Sequence, residues 1–270
     1  MALWYHTGNG WTKNTLAYRS HNCSAFLVCG GPSLKKIDPS LLKGPNRIVF
    51  CLNNTYPYVT PDWWIGMDDP QCYHRDIFHQ PFPKIMRGGY QNRITEEGLI
   101  YNKFYNLYYA DTKKPDNFDD TFTLRNHDVN FVWHWSSIAT ALHIIVWMGC
   151  ENIYLFGNDL NNKKNDYFDS VKLNKENNDH NSRFYDKVYE YLKLFKERSD
   201  AYNINLYSCS EGSRSHDYLE YLDYKDVIYN LEKDLPSGNL LHASDAEKKW
   251  KGKSPRSKSP NTSLGNGPQI

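Results

Sequence analysis

FLVCGGPSLKKIDPSLL, residues 26–42, opens as an apolar run and then breaks into glycines. Phe26, Leu27, Val28 and Cys29 suit a strand buried on both faces of a parallel sheet. Gly30 and Gly31 let the backbone turn sharply and approach a ligand, because no Cβ stands in the way. Pro32 fits the first turn of a helix, where its missing N–H costs nothing. Ser33 adds a hydroxyl where free backbone N–H groups gather around an anion. Strand, glycine turn and helix start together describe the phosphate cradle of a nucleotide-binding α/β fold. They also describe a tight βα turn with no ligand. G-x-G-x-x-G is absent and no G-K-[ST] follows the turn, so it is neither the dinucleotide fingerprint nor a P-loop. If the turn is a ligand site, Val in place of Gly31 is expected to block binding and spare the fold.

Downstream, the same arrangement repeats. Arg47–Leu52 reads as a second buried strand, ending in Asn53, Asn54 and Thr55. Trp63–Met67 reads as a third, ending in Asp68, Asp69 and Pro70. Lys84–Arg87 is a fourth, and Asn152–Phe156 a fifth, closed by Gly157, Asn158 and Asp159. Ile204–Tyr207 is the last, followed by a Ser/Gly loop. Polar residues at the carboxyl ends of parallel strands lie where such sheets bind ligands. The predicted fold class is therefore α/β, a Rossmann-like, mostly parallel sheet with helices on both faces and a lid insertion. Each polar end has a plainer reading as well: an Asn-rich turn, or an Asp-Asp-Pro helix cap.

Two helices are predicted between strands. One starts at Ser136 or Ser137, carries Ile138, Ala141, Leu142, Ile145 and Val146 at helical spacing, and stops at Gly149. Its serine is an N-cap and, on the sharper reading, an anion site. The other starts near Ser182 and runs to about Ser199 on a Phe184, Val188, Leu192 and Phe195 stripe. Residues 71–80 suggest a short helix, and about 90–130 and 161–181 suggest lid segments. Residues 1–25 are expected to pack as a loose N-terminal extension. The domain should span 26–235, and the Lys-, Ser- and Pro-rich 236–270 reads as a disordered basic tail.

At 270 residues the chain can bury a sizeable core. A formal net charge of +1 argues against a general nucleic-acid binder. No apolar run is long enough to cross a membrane, and the N-terminus lacks the pattern of a signal peptide. The six cysteines show no CxxC spacing. That pattern predicts a reduced, cytoplasmic protein without a disulfide framework or zinc site.

Five blocks resemble the family 42 sialyltransferases in the same order: VCGGPSLKKID, FCLNN, MDDP, WSSIATALHIIVWMGCENIYLFGNDL and INLYSCS. The family carries a GNGPSL cradle, a CNQ strand end, an NP turn, a serine-led helix running into IYLSGIDF, and a late IKLYCLC strand. The MptE-like 6-hydroxymethylpterin diphosphokinases share the GPSL cradle. The resemblance covers residues 26–210, with gaps between 75 and 130. It implies a Rossmann-like domain with a lid that binds a cytidine nucleotide sugar. The family's cradle, asparagine and serine positions fall on Gly30, Gly31, Ser33, Asn53 or Asn54, Asp69, Ser136 and Ser137. Its two phosphate-binding tyrosines fall on Asn161 and Tyr167, and its histidine base falls nearest to His180. This chain departs from the pattern at Gly30, Asp69 and Asn161, which bears on the identity of the sugar. The aspartate also moves the site toward metal use.

The expected activity is transfer of a sugar from a nucleotide-sugar donor to an acceptor hydroxyl, with His180 as general base. An unperturbed imidazole is largely neutral at pH 7 and can accept a proton. Asp179-His180-Asn181-Ser182 also reads as an ordinary surface turn capping a helix. The residues fix no cofactor, and Mg is the one candidate. The alternative is a Mg-dependent diphosphokinase of the MptE-like type, with Asp68, Asp69 and Asp159 as metal ligands. A non-catalytic nucleotide-binding module is a third possibility. The sequence leaves the oligomeric state open.

Overall fold

Strict alternation splits the central strand between two apolar layers. In Ser24–Val28, Ala25 and Leu27 face one layer while Phe26 and Val28 face the other, and all four are fully buried. A computed structural model describes residues 3–7, 9–14, 20, 22–94, 98, 100–101, 104–113, 131–132, 136–161 and 175–233. For 175–182 it describes the backbone alone.

The strands in chain order are β1 (Leu3–His6), β2 (Trp11–Asn14), β3 (Ser24–Val28), β4 (Arg47–Leu52), β5 (Trp63–Gly66) and β6 (Lys84–Arg87). They continue as β7 (Leu107–Ala110), β8 (Thr112–Lys113), β9 (Phe131–Val132), β10 (Asn152–Phe156) and β11 (Asn205–Ser208). The helices are α1 (Ser137–Trp147), α2 (Lys175–Ser199) and α3 (Tyr224–Lys233). Nine strands form one sheet in the order β11-β10-β3-β4-β5-β6-β7-β1-β2. The seven from β11 to β7 are parallel throughout, and β1 and β2 close that edge antiparallel. The mostly parallel α/β sheet expected from the sequence is therefore the observed one.

One face of the sheet is covered by α1 and α2, through Ile138, Leu142, Ile145, Val188, Leu192 and Phe195. Nearly every residue of α1 is buried, as its all-round apolar sequence requires. The other face is covered by 3-10 turns carrying Leu34, Ile77 and Phe78, and by Val227 and Ile228 of α3. β3 sits centrally. The chain builds β4 to β7 outward on one side of it, then crosses to place β10 and β11 on the other. That reversal leaves a crevice at the carboxyl ends of β3 and β10.

Several expectations are corrected. Pro32 opens a five-residue 3-10 turn, Pro32–Lys36, in place of an α-helix. Ile37 is already extended, and Asp38 precedes Pro39, a position that disfavours helical backbone. Residues 71–80 form two 3-10 turns instead of one helix. Within the first expected lid segment, residues 105–109 read as strand in the sequence, and β7 there joins the main sheet. Helix α2 begins at Lys175, seven residues before Ser182. Its first turns are polar, so an apolar stripe cannot mark them, but they contain no Gly or Pro to stop a helix. The N-terminal residues expected to be loose include β1 and β2, which extend the sheet edge. The expected tail lies outside the described residues. Among the described residues no helix is long and apolar enough to cross a membrane.

Candidate functional site

The crevice between β3 and β10 opens into a cavity of about 610 Å³. One wall is the Cys29–Pro32 turn after β3, facing the Gly157–Asn161 loop after β10. Leu52, Asn53, Asp68 and Asp69 come from the ends of β4 and β5. Ser136, Ser137 and Ile138 bring the start of α1, and Phe184, Tyr185 and Val188 of α2 form an aromatic and apolar side. The residues after β3, β4, β5 and β10 thus share one rim with the start of α1.

At the β3–β10 junction the two chains are hydrogen-bonded past their strand ends. Cys29 N–H donates to the Phe156 carbonyl and Gly31 N–H to the Gly157 carbonyl, both at 2.7 Å. A Cβ on Gly31 would lie 2.0 Å from Asp159 Oδ2 and 2.5 Å from the Gly157 oxygen. Gly157 has a φ of +65°, and a Cβ there would meet the Cys29 carbonyl at 2.3 Å. Glycine at both positions is thus a packing requirement of the sheet. Val at Gly31 is therefore expected to disturb the fold as well as any binding, since the Gly157 carbonyl and the Asp159 carboxylate occupy the space.

The cradle serine has a partner within the chain. Ser33 donates its N–H to Asp159 Oδ2 at 3.2 Å and its hydroxyl to the same oxygen at 2.9 Å. Ser33 is buried and lies behind the cavity wall, so the anion gathered at the turn is the Asp159 carboxylate. Burial raises the Asp159 pKa, and the Ser33 hydrogen bonds only partly offset it. The loop after β11 holds Asp159 and its neighbour in place. Asn158 N–H donates to Ser210 Oγ at 2.7 Å, Ser213 Oγ donates to the Asn158 carbonyl at 2.5 Å, and Arg214 N–H donates to the Asp159 carbonyl at 3.1 Å.

Across the cavity, Ser136 is the N-cap of α1 and its hydroxyl accepts from Ile138 N–H at 3.3 Å. Asp68 is open to the cleft and hydrogen-bonded to the Ser137 side chain. Desolvation of the carboxyl raises its pKa, against the lowering effects of Ser137 and Arg87. Asp69 caps the next turn by accepting from Gln71 N–H, and it pairs with Arg93.

The two strand-end asparagines separate in role. Asn53 lines the cavity with a φ of +53°, a left-handed backbone that Asn tolerates. Its Oδ1 is buried with no hydrogen-bond partner among the described residues. Asn54 braces the adjacent loop instead, bonding His74 N–H and the Cys72 carbonyl. Asn161 lines the cavity, with its amide donating to the Asp159 carbonyl at 3.2 Å. Tyr167 lies outside the described residues. So does the His180 side chain, although its backbone belongs to α2 and not to a capping turn. Position 180 precedes Phe184 and Val188 by four and eight residues, which sets it on their helix face.

Sequence reasoning missed two kinds of site residue. Phe184 and Val188 belong to an apolar stripe whose Val188 is indeed core, and the same residues also line the cavity with Tyr185. Asn158 is 4% exposed with its Nδ2 unpartnered among the described residues, a signal visible only in three dimensions.

No family model and no curated protein sequence matches this chain. Solved structures with a similar backbone include sialyltransferase CstII from Campylobacter jejuni in complex with the substrate analogue CMP-3FNeuAc. That match is 17% identical over 86% of this chain and 100% of that chain, with a TM-score of 0.45. Sialyltransferase CST-II in complex with a trisaccharide acceptor and CMP is 19% identical over 73% of this chain and 85% of that chain, with a TM-score of 0.42. The monofunctional α-2,3-sialyltransferase Cst-I from Campylobacter jejuni is 15% identical over 87% of this chain and 95% of that chain, also at 0.42.

Proposed function

We propose that the chain is a glycosyltransferase that moves a sugar from a nucleotide-sugar donor to an acceptor hydroxyl. The observation that carries this reading is the cavity at the β3–β10 reversal. It is about 610 Å³, walled on one side by Phe184, Tyr185 and Val188 and on the other by strand-end amides, hydroxyls and carboxylates. That volume falls within the range of about 300–1,000 Å³ typical of ligand sites. The apolar side suits a base and ribose, and the polar rim suits phosphates and sugar hydroxyls.

In the reaction the acceptor oxygen bonds to the anomeric carbon as the bond from that carbon to the donor phosphate breaks. The acceptor proton passes to a base, and the nucleotide leaves with the bonding electron pair. His180 takes the role of base on this reading, since the register of α2 sets its position on the face that lines the cavity. Asp68 is a second candidate, because its raised pKa makes the carboxylate a better proton acceptor than an ordinary one.

The diphosphokinase reading needs Asp68, Asp69 and Asp159 to share a magnesium ion. Each is committed elsewhere: Asp68 to Ser137, Asp69 to Arg93 and Asp159 to Ser33. Among the described residues no group of three His, Cys, Asp or Glu side chains gathers. These carboxylates do not fit a shared metal, and the transferase reading needs none. Thermal-shift measurements with CMP, UDP and their nucleotide sugars, and with ATP, each with and without magnesium, test the choice. A shift with a pyrimidine nucleotide sugar in the absence of metal is expected. Stabilisation by ATP with magnesium alone would transfer support to the diphosphokinase.

A further inference from the structure

The N-terminal hairpin builds a second cleft on the same sheet. Trp4 of β1 lies opposite Tyr109 of β7, and His6 of β1 lies opposite Trp11 of β2. Opposed residues share a face, and so do Trp4 and His6, two apart on one strand. Trp4, Trp11 and Tyr109 therefore rise from one side of the sheet edge. A cavity of about 270 Å³ opens among them, completed by Gly88, Gln91 and Asp111. At about 30 Å³ per water molecule in the liquid, that is about nine waters, close to the bulk of one sugar ring.

The wall chemistry is specific. Trp11 is 42% exposed, unusual for so large an apolar side chain, while Tyr109 is only 2% exposed. The Tyr109 hydroxyl is buried with no hydrogen-bond partner among the described residues. Trp4 Nε1 donates to Asp111 Oδ2 at 2.8 Å, which fixes the carboxylate at the edge of the aromatic surface. Trp11 meets Tyr109 at 75° with centroids 5.6 Å apart, and His6 meets Trp11 at 80°. Rings packed edge to face against one another form a platform. They do not turn their faces toward a common point, as a cage around an ammonium ion requires.

We infer that this cleft is a carbohydrate subsite that stacks one pyranose ring on the tryptophan platform and holds its hydroxyls with Asp111. The C–H bonds on one face of a pyranose carry partial positive charge and rest on the negative face of an indole. Hydroxyls at the ring's edge donate to the Asp111 carboxylate, a charge-assisted bond. Gly88 and Asp111 directly follow β6 and β7, next in order after β5, whose end carries Asp68. Two strand spacings, about 10 Å, separate the ends of β5 and β7. A short glycan can lie along that rim from the platform toward the main cavity. The subsite's chemistry stands without the donor reading, which it draws on only for what the glycan is for.

Saturation-transfer NMR on the full chain with lactose, cellobiose, maltose and N-acetyllactosamine tests this, beside CMP binding as a separate readout of the main cavity. Binding of at least one of these sugars is expected. Trp11→Ala should weaken it by more than about tenfold, and Tyr109→Phe, whose hydroxyl is enclosed away from the cleft, should leave it unchanged. Asp111→Asn should weaken it by about three- to tenfold, the loss of one hydrogen bond, and CMP binding should be unchanged in all three. The Tyr109→Phe variant keeps the packing, so its melting temperature should not fall. Sugar binding indifferent to both Trp11→Ala and Asp111→Asn overturns the assignment. So does absence of binding by all four sugars, or binding of tetramethylammonium in their place. A protein that binds these sugars but no nucleotide would keep the subsite and remove the transferase reading.

Discussion

Asp159 accepts two hydrogen bonds from Ser33, one from its N–H and one from its hydroxyl, across 126 residues of chain. The pair ties the end of β10 to the turn after β3 at the point where the sheet order reverses. It places a fixed negative charge where a phosphate cradle would hold a ligand. On the proposed transferase reading, donor phosphates would lie forward of Ser33, between Gly30 and the start of α1.

Gly31 should tolerate no side chain. Its Cβ would meet Asp159 Oδ2 at 2.0 Å and the Gly157 carbonyl at 2.5 Å, and the latter is backbone that cannot rotate away. Gly31→Ala is expected to lose about 1–3 kcal/mol of stability, the usual cost of overpacking. Urea unfolding would measure this, and a variant as stable as the parent would contradict the packing described.

Asp159 should make stability fall with rising pH. Burial raises its folded pKa above the unfolded value, so the native state holds its proton longer. Its contribution is complete below the ordinary carboxylate value and is lost as pH rises through the raised one. Asp159→Asn should flatten that part of the stability profile, read as melting temperature against pH. An unchanged slope would mean that the carboxylate ionises normally in the fold.

Lys84 acts in the opposite direction. It is fully buried at the start of β6, donating to the carbonyls of Gln80 and Phe82 at 2.6 and 2.9 Å. Burial lowers its pKa to about 8. Between that value and about 10.4 the unfolded chain holds the proton that the native one has lost, so stability should rise with pH. Lys84→Met should remove the rise. Denaturation profiles of the two proteins over this alkaline window would show it.

Cys72 should report on the main cavity. It is exposed and lines the cleft, whereas Cys29, Cys51, Cys150 and Cys209 are buried. Burial pushes the Cys51 and Cys150 thiols up to about 12. A maleimide should label Cys72 well before those four, and a bound nucleotide sugar should slow the labelling. Mass spectrometry of the labelled peptides gives the rates. Equal rates with saturating nucleotide sugar would place the donor elsewhere.

His180 as base predicts that His180→Ala lowers turnover by about 10²–10⁴-fold and leaves donor affinity nearly intact. Asp68→Asn provides the contrast. If it alone shows the loss, with the rate no longer following ionisation of a raised carboxylate, the base is Asp68.

Most strands of the parallel sheet were legible in the sequence. An apolar run buried on both faces leaves no choice of partner face, so β4, β6 and β10 were legible to the residue. The polar residues after each strand located the rim for the same reason, since parallel strands put all their ends together. Tertiary structure alone decided what each rim residue does. Asn53 and Asn54 are adjacent and chemically identical, yet one lines the cavity and the other braces a loop. Asp159 reads as a ligand residue until Ser33 is found against it, a contact between residues far apart in the chain. The hairpin of β1 and β2 was illegible because each strand has four residues and borrows its order from β7. Strands so short are stable only when a neighbouring sheet supplies the hydrogen bonds and the buried face.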